Sequence, residues 1–129
     1  MRYAEVLLIA AEAGVEIGAG DALSLLNEVR GRARNGGNST NGGYVEETIP
    51  ASSVPADLTS ITVDDVLEER RIELAFEGKR WYDIKRRQLG DVVFSASGYE
   101  GAKTGWDSSV DYDTPIPDRV LVGQPNLTD

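Results

Sequence analysis

The 129-residue sequence contains no cysteine and no histidine. Without cysteine there is no disulfide, no thiolate metal ligand and no cysteine nucleophile. Without histidine the common zinc sites and the Ser-His-Asp arrangement are excluded as well, and with them most familiar hydrolase mechanisms. Large apolar side chains are also scarce, with two Trp, two Phe and one Met, so a core must rest on Leu, Val, Ile and Ala. The longest apolar run, Val6 to Ala11, is far short of the roughly 20 residues that span a bilayer. No charged-then-apolar leader follows Met1, so the chain as written carries no targeting signal. Arg2-Tyr3-Ala4-Glu5 is already in helical phase, where a cap or leader would be expected, and this reads as the cut start of a longer protein.

What is present fits one domain, large enough to bury roughly two-thirds of the surface of its unfolded chain. The formal net charge of −9 and the lack of a basic arm argue against nucleic-acid binding. No cofactor or metal site is expected. The fold class expected is mainly α, with a tetratricopeptide-like hairpin, a long helix and an irregular C-terminal wrap, including at most a short strand pair.

Four segments are expected along the chain. In residues 1–34, Tyr3, Val6, Leu7, Ala10 and Ala13 recur at helical spacing, and the small residues Ala10-Ala11 and Ala13-Gly14 suit close helix contact. After the Gly18-Ala19-Gly20 turn, Asp21 is a good cap for a second helix with the stripe Ala22, Leu25, Leu26, Val29 and Ala33. A hairpin of about 34 residues matches one tetratricopeptide-type repeat, a unit that cannot hide its apolar faces alone. Exposed faces of that kind predict weak stability or self-association of an isolated chain, seen as concentration-dependent sedimentation. Residues 35–61 are a Gly/Asn/Pro loop, with Asn38, Asn41 and Tyr44 as weak ligand candidates and one of the chain's two chance-level glycosylation triplets. Residues 62–90 read as one long helix capped by Thr62, with seven acids and seven bases, so the whole negative charge lies elsewhere. Residues 91–129 lose helical periodicity and are rich in Gly, Ser, Asp and Pro.

The stretch Val66-Leu67-Glu68-Glu69-Arg70-Arg71-Ile72-Glu73-Leu74-Ala75-Phe76-Glu77-Gly78-Lys79-Arg80-Trp81-Tyr82-Asp83-Ile84-Lys85-Arg86 is the most informative part of the sequence. Arg2 to Ile9 with Ala22 to Arg30 precedes it, and Pro115-Ile116-Pro117-Asp118-Arg119 with Pro125-Asn126-Leu127-Thr128 follows. In this order the three segments resemble the SusD/RagB family of nutrient-binding proteins. Lys79 stands where that family often has histidine, and the family's long N-terminal portion has no counterpart here. The resemblance implies a surface lipoprotein of the outer membrane that captures oligosaccharides, or peptides, for a TonB-dependent SusC-like transporter. It implies no enzyme.

Glu69, Arg70, Glu73, Gly78, Arg80 and Trp81 read as structural members of that motif. Glu68 with Arg71, Glu77 with Arg80, and Asp83 with Arg86 or Arg87 are spaced for helical ion pairs, each worth roughly 0.2–0.5 kcal/mol when exposed. Gly78 costs roughly 1 kcal/mol against Ala in a helix, so close packing of another group against it is expected. Sugar recognition needs aromatic faces for the ring and polar groups for its hydroxyls, presented from loops. Trp106, Tyr99, Tyr112 and Asp107 fit that chemistry, beside the alternative that these aromatics pack the wrap onto the helices. Paired carboxylates, Glu73 with Glu77 or Asp111 with Asp113, would be needed for glycoside hydrolysis, yet flanking bases make the helical pair salt-bridge members. A helical module that docks on a partner protein without binding sugar is the second functional reading.

Overall fold

The computed structural model describes residues 1–35, 56–98 and 100–113, and the fold is mainly α, with no strand among the described residues. The elements are α1 (Tyr3–Ile17), α2 (Ala22–Asn35), α3 (Val63–Glu73), α4 (Arg80–Arg86) and α5 (Gly90–Val93). Two compact units divide the chain, Met1–Arg80 and Trp81–Asp129. The Gly-rich loop with Asn38, Asn41 and Tyr44, Tyr99, the closing motif, both glycosylation triplets and any strand pair near the C-terminus lie outside the described residues.

In the first unit, α1 ends where Gly18 enters the left-handed region, which glycine adopts without a Cβ penalty. The chain reverses within a few residues and α2 runs back antiparallel along α1. A Cβ on Gly14 would sit 2.9 Å from that of Ala22, so the small residue lets the two helices meet closely at the turn. Leu7, Leu8, Ala11, Leu26, Val29 and Val66 form the core, joined by partly buried Leu58 and Ile61 from the strap before α3. Full burial of each Leu or Val contributes roughly 1.5–3 kcal/mol against its conformational entropy. That strap is tied to α2 by polar contacts. Asn27 exchanges two 2.9 Å hydrogen bonds with the Leu58 backbone, Arg30 donates to the Ala56 carbonyl, and Arg34 pairs with Asp57.

The face that α1 buries differs from the expected one. Ala4, Glu5, Leu7, Leu8, Ala11, Glu12 and Gly14 are inside, while Tyr3, Val6, Ala10 and Ala13 point outward. Tyr3 and Ile17 are 68% and 80% exposed, and Val6 and Ile9 lie on the same outer face. The helix is apolar nearly all round, so periodicity could not choose between its two faces. The face that packs carries Leu7, Leu8 and Ala11 into the core, and its buried Glu5 is matched by Lys79 at 3.2 Å.

The long helix expected over 62–90 is interrupted. Thr62 starts α3 with a reciprocal capping box, its hydroxyl accepting from the Asp65 amide while the Asp65 carboxylate accepts from the Thr62 amide. The helix stops at Leu74, and Phe76 and Gly78 both take left-handed φ values, 65° and 70°. Such a conformation cannot continue an α-helix and costs a non-glycine residue roughly 1–2 kcal/mol. Gly78 therefore serves the turn. Nothing lies within 4 Å of where its Cβ would be, so the expected close neighbour is absent.

The break also redirects the charges. Glu77 is no longer in helical register with Arg80, and its carboxylate accepts from Arg2 instead. Glu73, with a side chain 9% exposed, is shared by Arg2 and Arg32 at 2.7 Å each. Glu69 pairs with Arg30 at 2.9 Å, both side chains mostly buried. The Glu68–Arg71 and Asp83–Arg86 pairs form locally as their spacing predicts, at 2.6 and 2.7 Å. Arg70 is buried, and Arg80 opens α4.

Candidate ligand-binding site

The second unit is built from short helices and turns around aromatic rings. Its core is Ile84 of α4, Val93 of α5 and Tyr112, packed by Leu89, Phe94 and Trp106. Gln88 at φ 54° turns the chain out of α4, and the Leu89 amide closes on the Ile84 carbonyl at 3.0 Å before α5 begins. Gly90 is required here for space. A Cβ at this position would lie 1.9 Å from Cζ2 of the Trp106 ring, so the indole packs directly on the backbone. The Gly90 amide donates to the Tyr112 hydroxyl.

Trp106 is fixed from several sides. Its indole N–H donates to Asp91 at 2.7 Å, the Phe94 ring is 4.7 Å away and the Tyr112 ring meets it edge-on at 5.1 Å. The preceding turn brings it there: the Trp106 amide bonds to the Lys103 carbonyl, and Gly105 has a left-handed φ of 85°. Trp81, at the start of the unit, makes an edge contact with Trp106 at 6.2 Å and lies near-parallel to Tyr112 at 6.5 Å. Aromatic pairs at these separations are favourable in both geometries. Trp81 remains 40% exposed.

Next to these rings lies a cavity of about 260 Å³ lined by Trp81, Lys103, Thr104, Gly105, Trp106 and Asp111. The Lys103 ammonium sits 4.9 Å from the Phe94 centroid. One Asp111 oxygen accepts from the Asp107 amide at 2.8 Å, and the other has no protein partner among the described residues. The Lys103 ammonium and the Thr104 hydroxyl likewise have no hydrogen-bond or ion-pair partner among the described residues. The cavity thus offers an exposed indole, a donor, an acceptor and a group that can be either, which is the set a polyhydroxylated ring needs.

The four expected ligand residues divide by this geometry. Trp106 lines the cavity as half-buried floor. Tyr112 is only 6% exposed and its hydroxyl is taken by Gly90, so it holds the floor in place from below. Asp107 is exposed, but its carboxylate accepts from both the hydroxyl and the amide of Ser109. Those two bonds, the hydroxyl's first, hold it below the usual carboxylate range. Tyr99 lies outside the described residues. Trp81, expected as purely structural, turns out to line the cavity, as do Lys103 and Thr104, which sequence reasoning missed. A signal did exist: Lys103-Thr104-Gly105 places donors immediately before Trp106 in a glycine turn. Of the carboxylate pairs considered for hydrolysis, Asp113 faces Lys85 at 3.4 Å, whereas Glu73 and Glu77 are both bound by Arg2.

A second hollow, about 300 Å³, lies between α1 and α2 over Tyr3, Ala4, Leu7 and Val29, with Arg2, Arg32 and Glu28 at its edge. Its two guanidinium groups are already engaged by Glu73. It is somewhat larger than the cavity beside Trp81, but it has no aromatic floor of paired indoles.

Comparison with known proteins adds a family and two relatives. A family model described as the SusD family matches residues 1–128. A curated "SusD-like protein P2" of Formosa agariphila is 47% identical over 129 residues, covering 98% of this chain and 24% of that protein. "SusD-like protein P38" of the same organism is 38% identical over 133 residues, covering 98% and 22%. The chain therefore spans about a quarter of the length of these curated relatives. No solved structure matches the chain significantly.

Proposed function

The chain belongs to the SusD family, and from that premise we propose that it is part of a non-catalytic protein that captures a nutrient glycan at the cell surface. The observation that carries this reading is the cavity beside Trp81 and Trp106, where Lys103, Thr104 and one Asp111 oxygen have no hydrogen-bond or ion-pair partner among the described residues. A pyranose ring laid on the exposed indole would bring its hydroxyls to these three groups, giving orientation from the polar contacts and area from the ring. Delivery of the glycan to a TonB-dependent channel, with a SusC-like transporter as partner and an outer-membrane location, belongs to the same proposal and rests on family membership.

Isothermal titration of the chain with a panel of oligosaccharides tests the reading, with the Trp81→Ala variant as control. Binding of at least one glycan, weakened about tenfold or more by loss of the stacking face, is the expected result; one such aromatic contact is worth about 1.4 kcal/mol on that scale. Glycan binding that Trp81→Ala leaves unchanged would move the site elsewhere. Absence of any glycan binding, together with capture of a transporter, would favour the reading as a docking module.

A further inference from the structure

We propose that Asp91 is a positioning residue of the capture site: by accepting a hydrogen bond from the Trp106 indole it sets the tilt of that ring, and with it the shape of the cavity beside Trp81. The inference rests on the capture reading and adds a residue that does not itself line the cavity. Trp106 is seated on the two residues that open α5. Gly90 leaves room, since a Cβ there would lie 1.9 Å from the ring, and Asp91 supplies an acceptor 2.7 Å from the indole nitrogen. The rings of Phe94 and Tyr112 also pack on the indole. Ring packing is favourable over a range of tilts, whereas a hydrogen bond weakens steeply once its donor turns away. A carboxylate acceptor makes that bond stronger than one between neutral groups.

The Asp91 side chain has no other hydrogen-bond or ion-pair partner among the described residues. Its exposed carboxylate therefore serves the indole alone, unlike Glu69 and Glu73, which tie elements of the first unit together through guanidinium groups. What the indole supports is the site. Trp81 meets Trp106 at an interplanar angle of 82° with centroids 6.2 Å apart, and Lys103 and Thr104 precede Trp106 in the turn that contains Gly105. Rotation of Trp106 would reshape the floor and withdraw the ring against which Trp81 rests. A sugar ring on Trp81 would then no longer meet Lys103, Thr104 and Asp111 together. A supporting residue of this kind acts on binding through the geometry it preserves.

The test uses the 129-residue chain, the same oligosaccharide panel and two readouts. The chain has two tryptophans, so the indole N–H resonance that remains in Trp81→Ala belongs to Trp106. In the free protein this proton is expected to exchange slowly with solvent, and in Asp91→Ala to exchange faster and to shift. Asp91→Asn keeps a carbonyl oxygen for the N–H and is expected to retain the slow exchange. By titration, glycan binding is expected to weaken about fivefold in Asp91→Ala and to stay within about twofold of the parent in Asp91→Asn, with the far-ultraviolet circular dichroism unchanged in both. Unchanged binding or unchanged indole exchange in Asp91→Ala overturns the positioning role, and binding lost in Trp81→Ala would then show that capture at this cavity stands. Failure of Asp91→Asn to restore binding overturns it too, because charge and not the acceptor would then matter. Unfolding of Asp91→Ala would make the residue structural and overturn it as well. If the parent chain binds no glycan, the capture reading and the positioning role fall together.

Discussion

The two units of this chain differ in how far their charges are paired between elements. In Met1–Arg80, carboxylates and guanidiniums meet across elements: Arg30 with Glu69, Arg32 and Arg2 with Glu73, Arg2 with Glu77, Lys79 with Glu5. In the described part of Trp81–Asp129 the ion pairs are a local one, Asp83–Arg86, and an exposed one, Lys85–Asp113; ring packing and carboxylates that accept neutral donors supply the rest, and Lys103, Thr104 and an Asp111 oxygen have no hydrogen-bond or ion-pair partner among the described residues. The contrast teaches where to look for ligand chemistry. A paired charge has little reach toward anything else, because separating it exposes its partner. Groups left uncommitted beside an exposed ring are free to recognise. By this criterion the motif Glu69 to Arg80 is a clamp, while the less patterned segment 103–111 is the candidate reader.

The largest expected effect breaks the contrast from the clamp side. Glu69→Gln would leave the mostly buried Arg30 without its counter-charge, at a cost of about 2–4 kcal/mol, somewhat less than a fully buried pair because Arg30 also donates to the Ala56 carbonyl. Asp111→Asn, which removes a charge that has no cationic partner among the described residues, should leave stability within about 0.5 kcal/mol. Urea unfolding followed by circular dichroism measures both. Equal losses would mean that the two units do not differ in how they use charge.

Two glycines sharpen the comparison at the next level. Gly90→Ala forces a methyl group into the Trp106 ring, and the overpacking should cost about 1–3 kcal/mol and shift the tryptophan emission. Gly78→Ala meets no neighbour but must hold a φ of 70°, at about 1–2 kcal/mol, with the emission unchanged. Gly78→Asn should recover part of that loss, since asparagine tolerates the left-handed region. Gly90→Asn should be worse than Gly90→Ala, because there the limit is volume. If Asn rescued both positions, or neither, the distinction between a conformational and a spatial glycine would fail.

The helices were legible in the sequence where one signal dominated. Thr62 with Asp65 marked the start of α3, and Gly18 marked the end of α1. Of the stripe Ala22, Leu25, Leu26, Val29 and Ala33 expected on α2, Ala22, Leu26 and Val29 are buried and Leu25 and Ala33 partly so, because charged and polar residues mark the opposite face. On α1 the opposite holds: Tyr3, Val6, Ala10 and Ala13 form as good a stripe as Ala4, Leu7, Leu8 and Ala11, and which of the two is buried is set by tertiary packing that spacing does not contain. The break after Glu73 was hidden because Leu74 to Lys79 holds no proline and one glycine, and a left-handed phenylalanine has no sequence signature. At the site, Trp106 stood out by residue type. Trp81 did not, since its place in a recognised motif suggested structure alone, and Lys103 and Thr104 gain meaning only when the Gly105 turn sets them beside the indole.

The smallest expected effect is a difference in acid titration between the units. Glu77 in the first unit and Asp107 in the second are both held below their usual carboxylate range, Glu77 chiefly by the Arg2 side-chain hydrogen bond and Asp107 chiefly by the Ser109 hydroxyl. A depressed folded value means that each contact contributes fully above the ordinary carboxylate range and is lost as pH falls through the lowered value. Since both groups are solvent-exposed, the effect is a local one, best followed by NMR of the Glu77 and Asp107 side-chain carboxyl resonances. Salt then separates the causes. Raising ionic strength to about 0.5 M screens the exposed Arg2–Glu77 attraction and should move the Glu77 midpoint up toward its ordinary value. Asp107 is held by a neutral hydroxyl and a neutral amide, so its midpoint should stay nearly where it is. Parallel movement of both midpoints would mean that the second unit, too, is organised by charge pairing, and the division between clamp and reader would have to be redrawn.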